Sequence, residues 1–292
     1  MMDQHIFCNT YLAATVKADG AELCSLRDAT GQEFLWHAGP VWPWHAPVLF
    51  PVVGQVNRDE ILHRGRRYRM GRHGFARNRR FAWLNRTAES CRLVLHDDSQ
   101  TRASYPFAFR FEITYALQED KLEVTYTIVN PGREALPASA GAHPAFIWPL
   151  LEGVPKQAHL LEFSQAEPEP VRRLVDGLIM GEAQPTAVEG STLRLDPALF
   201  VADAIIWDQP ASRSIRYTAP SAPSIEVTWD GFQQLGVWSK AGIDPSADFL
   251  CIEPWYGTAD PAGWEGEFED KPNLMLIPPG ERRVLTYRIR IC

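Results

Sequence analysis

The sequence predicts an all-β protein, a large antiparallel sandwich of two sheets. Apolar and polar residues alternate along many short segments, which is the pattern of strands with one buried face. No segment of about 11 residues has a clean 3.6-residue period, and 23 prolines and 20 glycines interrupt the chain too often for long helices. Because sheet edges must be paired or covered, so many strands favour a sandwich.

The first strands are predicted near the start of the chain. Residues 12–16 and 22–26 flank the turn sequence Ala18-Asp19-Gly20 and form a hairpin. A second hairpin has a clearer pattern, in which a short polar connection joins two alternating segments. The first of these segments has five apolar residues on one face. The parts of this hairpin are residues 109–117, 118–121 and 122–128. Further strands are predicted at residues 91–95, 222–229 and 285–291.

Length leaves the number of domains open. A chain of 292 residues corresponds to roughly two domains of about 150 residues, although single sandwiches reach about 250. The least regular region, residues 151–199, is rich in polar residues and proline and has the composition of a linker. Apolar groups recur inside it, however, which favours long loops within one domain.

Charge is distributed unevenly along the chain. The net charge is -7, but residues 58–80 contain nine arginines and two acidic residues, so this segment carries +7 and the rest -14. Non-specific nucleic-acid binding needs a broad basic face, which an acidic protein with one basic segment does not provide. We therefore expect no nucleic-acid partner.

Neither a membrane partner nor secretion is expected. The longest apolar run, residues 46–53, has eight residues and two prolines, whereas a membrane helix needs about 20 residues. The N-terminus lacks the pattern of a secretory signal. Five scattered cysteines without a CxxC pair predict a reducing, cytoplasmic location with neither a disulfide framework nor a zinc cluster.

Motifs for metal hydrolysis, phosphate loops and an elbow serine (HExxH, HxH, glycine-rich loops, GxSxG) are absent from the sequence. Any chemistry must therefore depend on histidines and carboxylates. Three segments concentrate such side chains among Gly, Pro and aromatic residues: RHGFAR with His73, GAHPAF with His143, and CIEPWYG with Glu253.

His143 and Glu253 each precede a proline, which favours an extended backbone and predicts positions at strands or strand ends. The apolar neighbours of Glu253 predict a raised pKa, in the range useful to a general base. A single histidine before proline is more often a hydrogen-bonded structural residue. Most arginines of residues 58–80 suit a solvated strand face, and Arg77, beside Gly74, is the exception.

Six tryptophans are candidates for stacking on a sugar, although most tryptophans of a sandwich belong to its core. We expect no more than about a third of them to touch a ligand. They are Trp36, Trp42, Trp44, Trp148, Trp238 and Trp255.

Taken together, the motifs resemble those of the aldose 1-epimerase (galactose mutarotase) family, in particular its bacterial LacX-type branch. The matching segments occur in the family's order over nearly the whole chain. They are EFLWHAGPVWPWHAPVLFPVVGQ, HGFAR, HPAF, LFVADAIIW, LGVWSK, CIEPWYGTAD and IPPGE.

The resemblance implies a single-domain β-supersandwich spanning residues 1–292 that interconverts the α and β anomers of an aldohexose. It implies that Glu253 is the general base, His143 the general acid, His73 a substrate-orienting residue, and Asp203 a carboxylate that holds sugar hydroxyls. Such proton transfers need no metal or redox cofactor. A small sugar is the expected partner, bound by a monomer or a homodimer.

The sequence departs from the family pattern at one position. Where this branch has arginine after the glycine of FPxxG, the chain has Gln55, and Arg58 follows three residues later. Arg58, Arg77 or neither therefore provides the usual arginine contact. The alternatives are a hexose-6-phosphate epimerase, with an arginine binding phosphate, and a non-catalytic sugar-binding protein of the same fold.

Overall fold

The structure, a computed structural model, describes residues 3–292. The strands are β1 Gln4–Cys8, β2 Leu12–Lys17, β3 Leu23–Asp28, β4 Glu60–His63, β5 Arg66–Arg69, β6 Ala82–Arg86, β7 Ser90–His96, β8 Arg110–Gln118, β9 Lys121–Val129, β10 Leu136–Ala138, β11 Ala140–Gly141, β12 Ala145–Ile147, β13 Leu160–Phe163, β14 Leu174–Val175, β15 Leu178–Ile179, β16 Thr192–Arg194, β17 Ile205–Trp207, β18 Ser214–Thr218, β19 Ile225–Asp230, β20 Gln234–Trp238, β21 Phe249–Tyr256, β22 Met275–Ile277 and β23 Arg282–Ile291. One short α-helix, α1 (Ser99–Ser104), and five 3₁₀ turns complete the described elements.

Two antiparallel sheets form the body of the molecule. The larger has nine strands in the order β16-β13-β18-β19-β23-β9-β8-β7-β6. The smaller has five, in the order β11-β21-β20-β17, with β12 also pairing with β21. Buried side chains of both sheets belong to one hydrophobic cluster that extends from Phe7 to Ile289. The prediction of an all-β sandwich is confirmed.

The predicted hairpins are present with small shifts at their ends. Gln118 pairs with Lys121, so the connection between β8 and β9 is only two residues long. The strand predicted at residues 222–229 begins at Ile225, because Pro223 has no backbone N–H to donate to a sheet.

The region that looked least regular, residues 151–199, contains four short strands, β13 to β16. β13 and β16 extend the nine-stranded sheet, while β14 and β15 form a separate hairpin. A satellite apolar cluster lies beneath this hairpin and joins it to the smaller sheet. Its residues are Leu49, Val53, Leu174, Ile179, Ala204, Ile206, Trp255 and Ala259.

All five cysteines are free thiols. Among residues 3–292 there is no helix long and apolar enough to cross a membrane.

Candidate active site

A cavity of about 630 Å³ lies on the smaller sheet, beneath the β14–β15 hairpin. Strands β17, β20 and β21 contribute side chains to its wall, and the β14–β15 hairpin and loops from both halves of the chain supply the others. Its lining includes Trp42, Gln55, Arg72, His73, Arg77, His143, Leu174, Asp176, Gly177, Val201, Asp203, Trp238, Lys240, Ile243, Glu253 and Trp255.

Glu253 lies within β21 and is only 1% exposed. Its pairing partner on β20 is Gly236. A Cβ atom on Gly236 would lie 2.5 Å from the indole of Trp255, and one on Gly141 would lie 2.6 Å from the same ring. Because neither glycine has a Cβ atom, the indole of Trp255 packs closely beside the Glu253 carboxylate.

His143 lies between β11 and β12, which both pair with β21. The backbone N–H of Ala142 donates to the carbonyl of Pro254 at 3.0 Å, which fixes the histidine next to Glu253. Nε2 of His143 is 3.2 Å from Oε2 of Glu253. The imidazole stacks on Trp42, with ring centroids 5.1 Å apart. Glu253 has the predicted strand position, whereas His143 lies in the three-residue connection between two short strands.

The environment changes the acidity of both groups. Burial lowers the pKa of the His143 imidazole, and the positive charge of Arg77 lowers it further. Burial raises the pKa of the Glu253 carboxyl well above its ordinary value. An imidazolium with a lowered pKa is a stronger acid, and a carboxylate with a raised pKa is a stronger base. The site therefore favours proton donation by His143 and proton acceptance by Glu253.

Four buried polar atoms of the cavity wall have no hydrogen-bond partner within the protein: Nε of Arg77, Nδ1 of His143, Oε2 of Glu253 and Nε1 of Trp255. A buried polar group without a partner costs about 1–3 kcal/mol. The four residues line one cavity, so its wall concentrates polar groups that are not satisfied within the protein.

His73 has a left-handed backbone, with φ of 65°. Its Nδ1 accepts a hydrogen bond from the backbone N–H of Gly54 at 3.1 Å, so in the neutral ring the proton is on Nε2. Burial, together with the nearby His143, lowers the pKa of His73 well below its ordinary value. His73 is thus a neutral hydrogen-bond donor at the cavity, 5.7 Å from the ring of His143.

Asp203 also has a left-handed backbone, with φ of 63°, and lies just before β17. Its Oδ1 accepts from the backbone N–H of Ala204 at 2.8 Å. Nη2 of Arg72 donates to its Oδ2 at 3.4 Å. Aspartate adopts this conformation more readily than most other non-glycine residues, and Asp203 lines the cavity.

The structure distinguishes between the two candidate arginines. Arg77 lines the cavity, donates from Nη2 to the carbonyl of Arg72 at 2.9 Å, and lies over the ring of Trp44. Arg58 is not brought to the cavity, because its exposed guanidinium pairs with Glu265 at 2.7 Å on the surface. Gln55 lines the cavity, where it contacts Gly177.

Three of the six candidate tryptophans line the cavity: Trp42, Trp238 and Trp255. Trp36 and Trp148 belong to the core.

Sequence reasoning missed several cavity residues. Arg72 was visible only as a neighbour of His73, and Lys240 only as the end of LGVWSK. The hairpin residues Asp176 and Gly177 form a dipeptide typical of two-residue turns, and this signal was sufficient to predict the β14–β15 hairpin. No local signal indicated that the hairpin covers the cavity.

Solved structures share this architecture. The galactose mutarotase related enzyme from Lactobacillus acidophilus superposes with a TM-score of 0.90 at 30% identity, covering 99% of this chain and 97% of that one. A galactose mutarotase-like protein from Lactobacillus casei ATCC 334 gives 0.91 at 26% identity, covering 99% and 100%. The fold and the site together thus define a β-sandwich protein of the galactose mutarotase type.

Sequence comparison gives the family. The model of the aldose 1-epimerase family matches residues 3–267. The chromosomal LacX protein of Lactococcus lactis subsp. lactis is 31% identical over 294 aligned positions, covering 97% of each chain. The chain belongs to the aldose 1-epimerase family.

Proposed function

We propose that the protein is an aldose 1-epimerase that interconverts the α and β anomers of an aldohexose, with Glu253 as general base and His143 as general acid. The observation that carries the proposal is the 3.2 Å approach of these two side chains in one cavity that both line. A single pyranose ring placed there lies within reach of both groups.

The reaction begins when the proton that the buried pair holds passes from Glu253 to His143, which gives an imidazolium beside a carboxylate. Glu253 takes the proton of the anomeric hydroxyl while His143 protonates the ring oxygen, and the C1–O5 bond breaks to give the open-chain aldehyde. Both side chains are then neutral, which is the state that burial favours. Rotation about C1–C2 presents the other face of the aldehyde. The two transfers run in reverse on reclosure, so each group is restored.

The surrounding residues would orient the sugar. His73 is a neutral donor, Asp203 and Gln55 offer acceptors, and the guanidinium of Arg77 is a further donor in the wall. An apolar cavity wall with a few convergent polar groups is the usual design of a small-molecule site. Each positioned proton transfer is worth about 10²- to 10⁴-fold in rate and requires no cofactor.

A phosphorylated hexose is the second candidate substrate. It is favoured by the three cationic side chains of Arg72, Arg77 and Lys240 that line the cavity together. Arginine pairs with phosphate through two parallel hydrogen bonds. A non-catalytic sugar-binding role is disfavoured by the close approach of His143 and Glu253, since a binder has no need for an acid beside a base.

Anomer exchange followed by NMR on glucose, galactose and glucose 6-phosphate tests the proposal. We expect acceleration over the uncatalysed exchange for at least one of these sugars. No acceleration on any aldose would favour the binding role instead.

We further propose that the chain acts as one domain, which the continuous core supports. We also propose that it acts in the cytoplasm, as a monomer or homodimer.

A further inference from the structure

Three potential metal ligands lie close together where His143 and Glu253 line the cavity and Cys251 lies behind them in the core. The imidazole of His143, the thiol of Cys251 and the carboxylate of Glu253 each offer a donor atom, and these atoms lie within 4.8 Å of one another. Cys251 and Glu253 are two residues apart on β21 and therefore face the same side of the sheet. All three side chains are buried.

The distances suit a small tetrahedral cation. Zinc bonds of about 2.0–2.3 Å place neighbouring ligand atoms roughly 3.3–3.7 Å apart. The separation of Nε2 of His143 and Oε2 of Glu253 is 3.2 Å, so these two ligands need almost no movement. Oε2 of Glu253 is also buried without a hydrogen-bond partner, and its lone pairs are available to a cation.

The combination of ligands defines the kind of cation. Thiolate and imidazole prefer borderline or soft metals, whereas Mg²⁺ and Ca²⁺ prefer oxygen ligands. His143 and Glu253 line the cavity, which provides a route for entry and a fourth coordination position. We propose that His143, Cys251 and Glu253 form a binding site for a thiophilic divalent cation, Zn²⁺ or Cd²⁺, and that occupation of this site blocks the proton-transfer pair.

A second cluster of the same composition provides a comparison. Glu22, Cys24 and His45 also bring their donor atoms together. The Glu22 carboxylate, however, is in an ion pair with Lys17 and accepts the backbone N–H groups of His45 and Ala46. Its oxygens are therefore occupied, and the Cys251 cluster is the better site.

Cadmium binding tests the site directly, without reference to catalysis. We expect titration of Cd²⁺ into the full chain to produce a thiolate-to-cadmium charge-transfer band in the ultraviolet at one equivalent. The Cys251→Ser variant should lose the band, and the Cys24→Ser variant should retain it. Absence of the band in the parent protein, or its loss in Cys24→Ser with retention in Cys251→Ser, would overturn the assignment.

The inhibitory effect rests on the proposed function and is measured separately. Stoichiometric Zn²⁺ should slow anomer exchange at least tenfold, and a chelator should restore it. Cys251→Ala leaves the cavity wall intact and should keep its exchange activity while becoming insensitive to zinc. Equal zinc sensitivity in the parent and Cys251→Ala would overturn the proposal that zinc inhibits through this site.

A protein with no exchange activity would count against the proposed function, while the cadmium band would still decide whether the metal site exists. If Cys251→Ala does not fold, Cys251→Ser in the same exchange assay decides between these outcomes.

Discussion

Nε2 of His143 lies 3.2 Å from Oε2 of Glu253, although the two residues belong to distant parts of the chain. The approach is a consequence of strand pairing. β11 and β12 both pair with β21, so the loop that carries His143 passes directly over the strand that carries Glu253. The backbone ladder on both sides of the loop limits its movement, which pre-organises the acid and the base for the same substrate.

Replacement of either member of the pair should remove most of the catalysis. We expect Glu253→Gln and His143→Ala each to reduce the rate of anomer exchange by about 10²- to 10⁴-fold. The double variant should be little slower than either single variant, because one group cannot complete the reaction without the other. NMR exchange rates under saturating sugar measure the effect.

Glu112→Gln is a matched control. Glu112 is equally buried, but it lies on β8 in an ion-pair network with Arg92 and Arg110 and is absent from the cavity wall. Its replacement should lower stability and leave the exchange rate per folded molecule unchanged. Undiminished exchange in both Glu253→Gln and His143→Ala would contradict the assigned roles.

Glu253 should also make the protein less stable as the pH rises. The folded-state pKa is raised by burial, so the folded protein retains this proton above the ordinary glutamic-acid value, where the unfolded chain has lost it. Stability from the neutral carboxyl is fully present below about pH 4.3 and falls as the pH increases toward the folded-state pKa. The glutamine of a Glu253→Gln variant cannot ionise, so this variant does not lose that part of its stability as the pH rises.

Chemical denaturation of Glu253→Gln at pH 4 and pH 8 measures this difference. We expect the variant and the parent to be similar in stability at the lower pH and the variant to be the more stable at the higher pH. Glu112→Gln should instead be less stable than the parent at pH 8, because its carboxylate has two arginine partners. A Glu253→Gln variant that loses stability with rising pH as steeply as the parent does would contradict the assigned environment.

The two candidate arginines should behave differently toward a phosphorylated sugar. If the substrate carries phosphate, Arg77→Ala should raise the KM for glucose 6-phosphate by tenfold or more and have a smaller effect on glucose. Arg58→Ala should leave both values unchanged, since Arg58 is held at the surface by Glu265. Equal losses for the two sugars in Arg77→Ala would argue against a phosphate contact.

The strands were predictable because their signal is local. Alternation along residues 109–128 is sufficient to place β8, β9 and the turn between them, since each strand buries every second side chain in the core. Glu253 and His143 were also singled out by a local signal, as ionisable residues directly before proline, but their roles came from the family resemblance.

The remaining parts of the site depend on contacts between distant segments. Nothing near Gly177 in the sequence indicates that it packs on Gln55, and nothing near Arg58 indicates its ion pair with Glu265. The proximity of Cys251 to the acid–base pair follows from the register of β21 and the course of the His143 loop together. Contacts of this kind between distant residues can be identified only from the tertiary structure.

Gly177 should control the position of Gln55 at the cavity. The backbone of Gly177 is left-handed, with φ of 81°, and a Cβ atom there would overlap the side-chain amide oxygen of Gln55. Gly177→Ala should therefore displace Gln55 and raise the KM several-fold, with a smaller change in kcat. Gly153→Ala is the matched control, because Gly153 has φ of 84° and no atom within 4 Å of an added Cβ. Both variants carry the same backbone strain, about 1–2 kcal/mol, so thermal unfolding should shift similarly in the two. Only Gly177→Ala should alter the sugar dependence of the exchange rate, and an equal KM in the two variants would exclude a role for the Gly177–Gln55 contact.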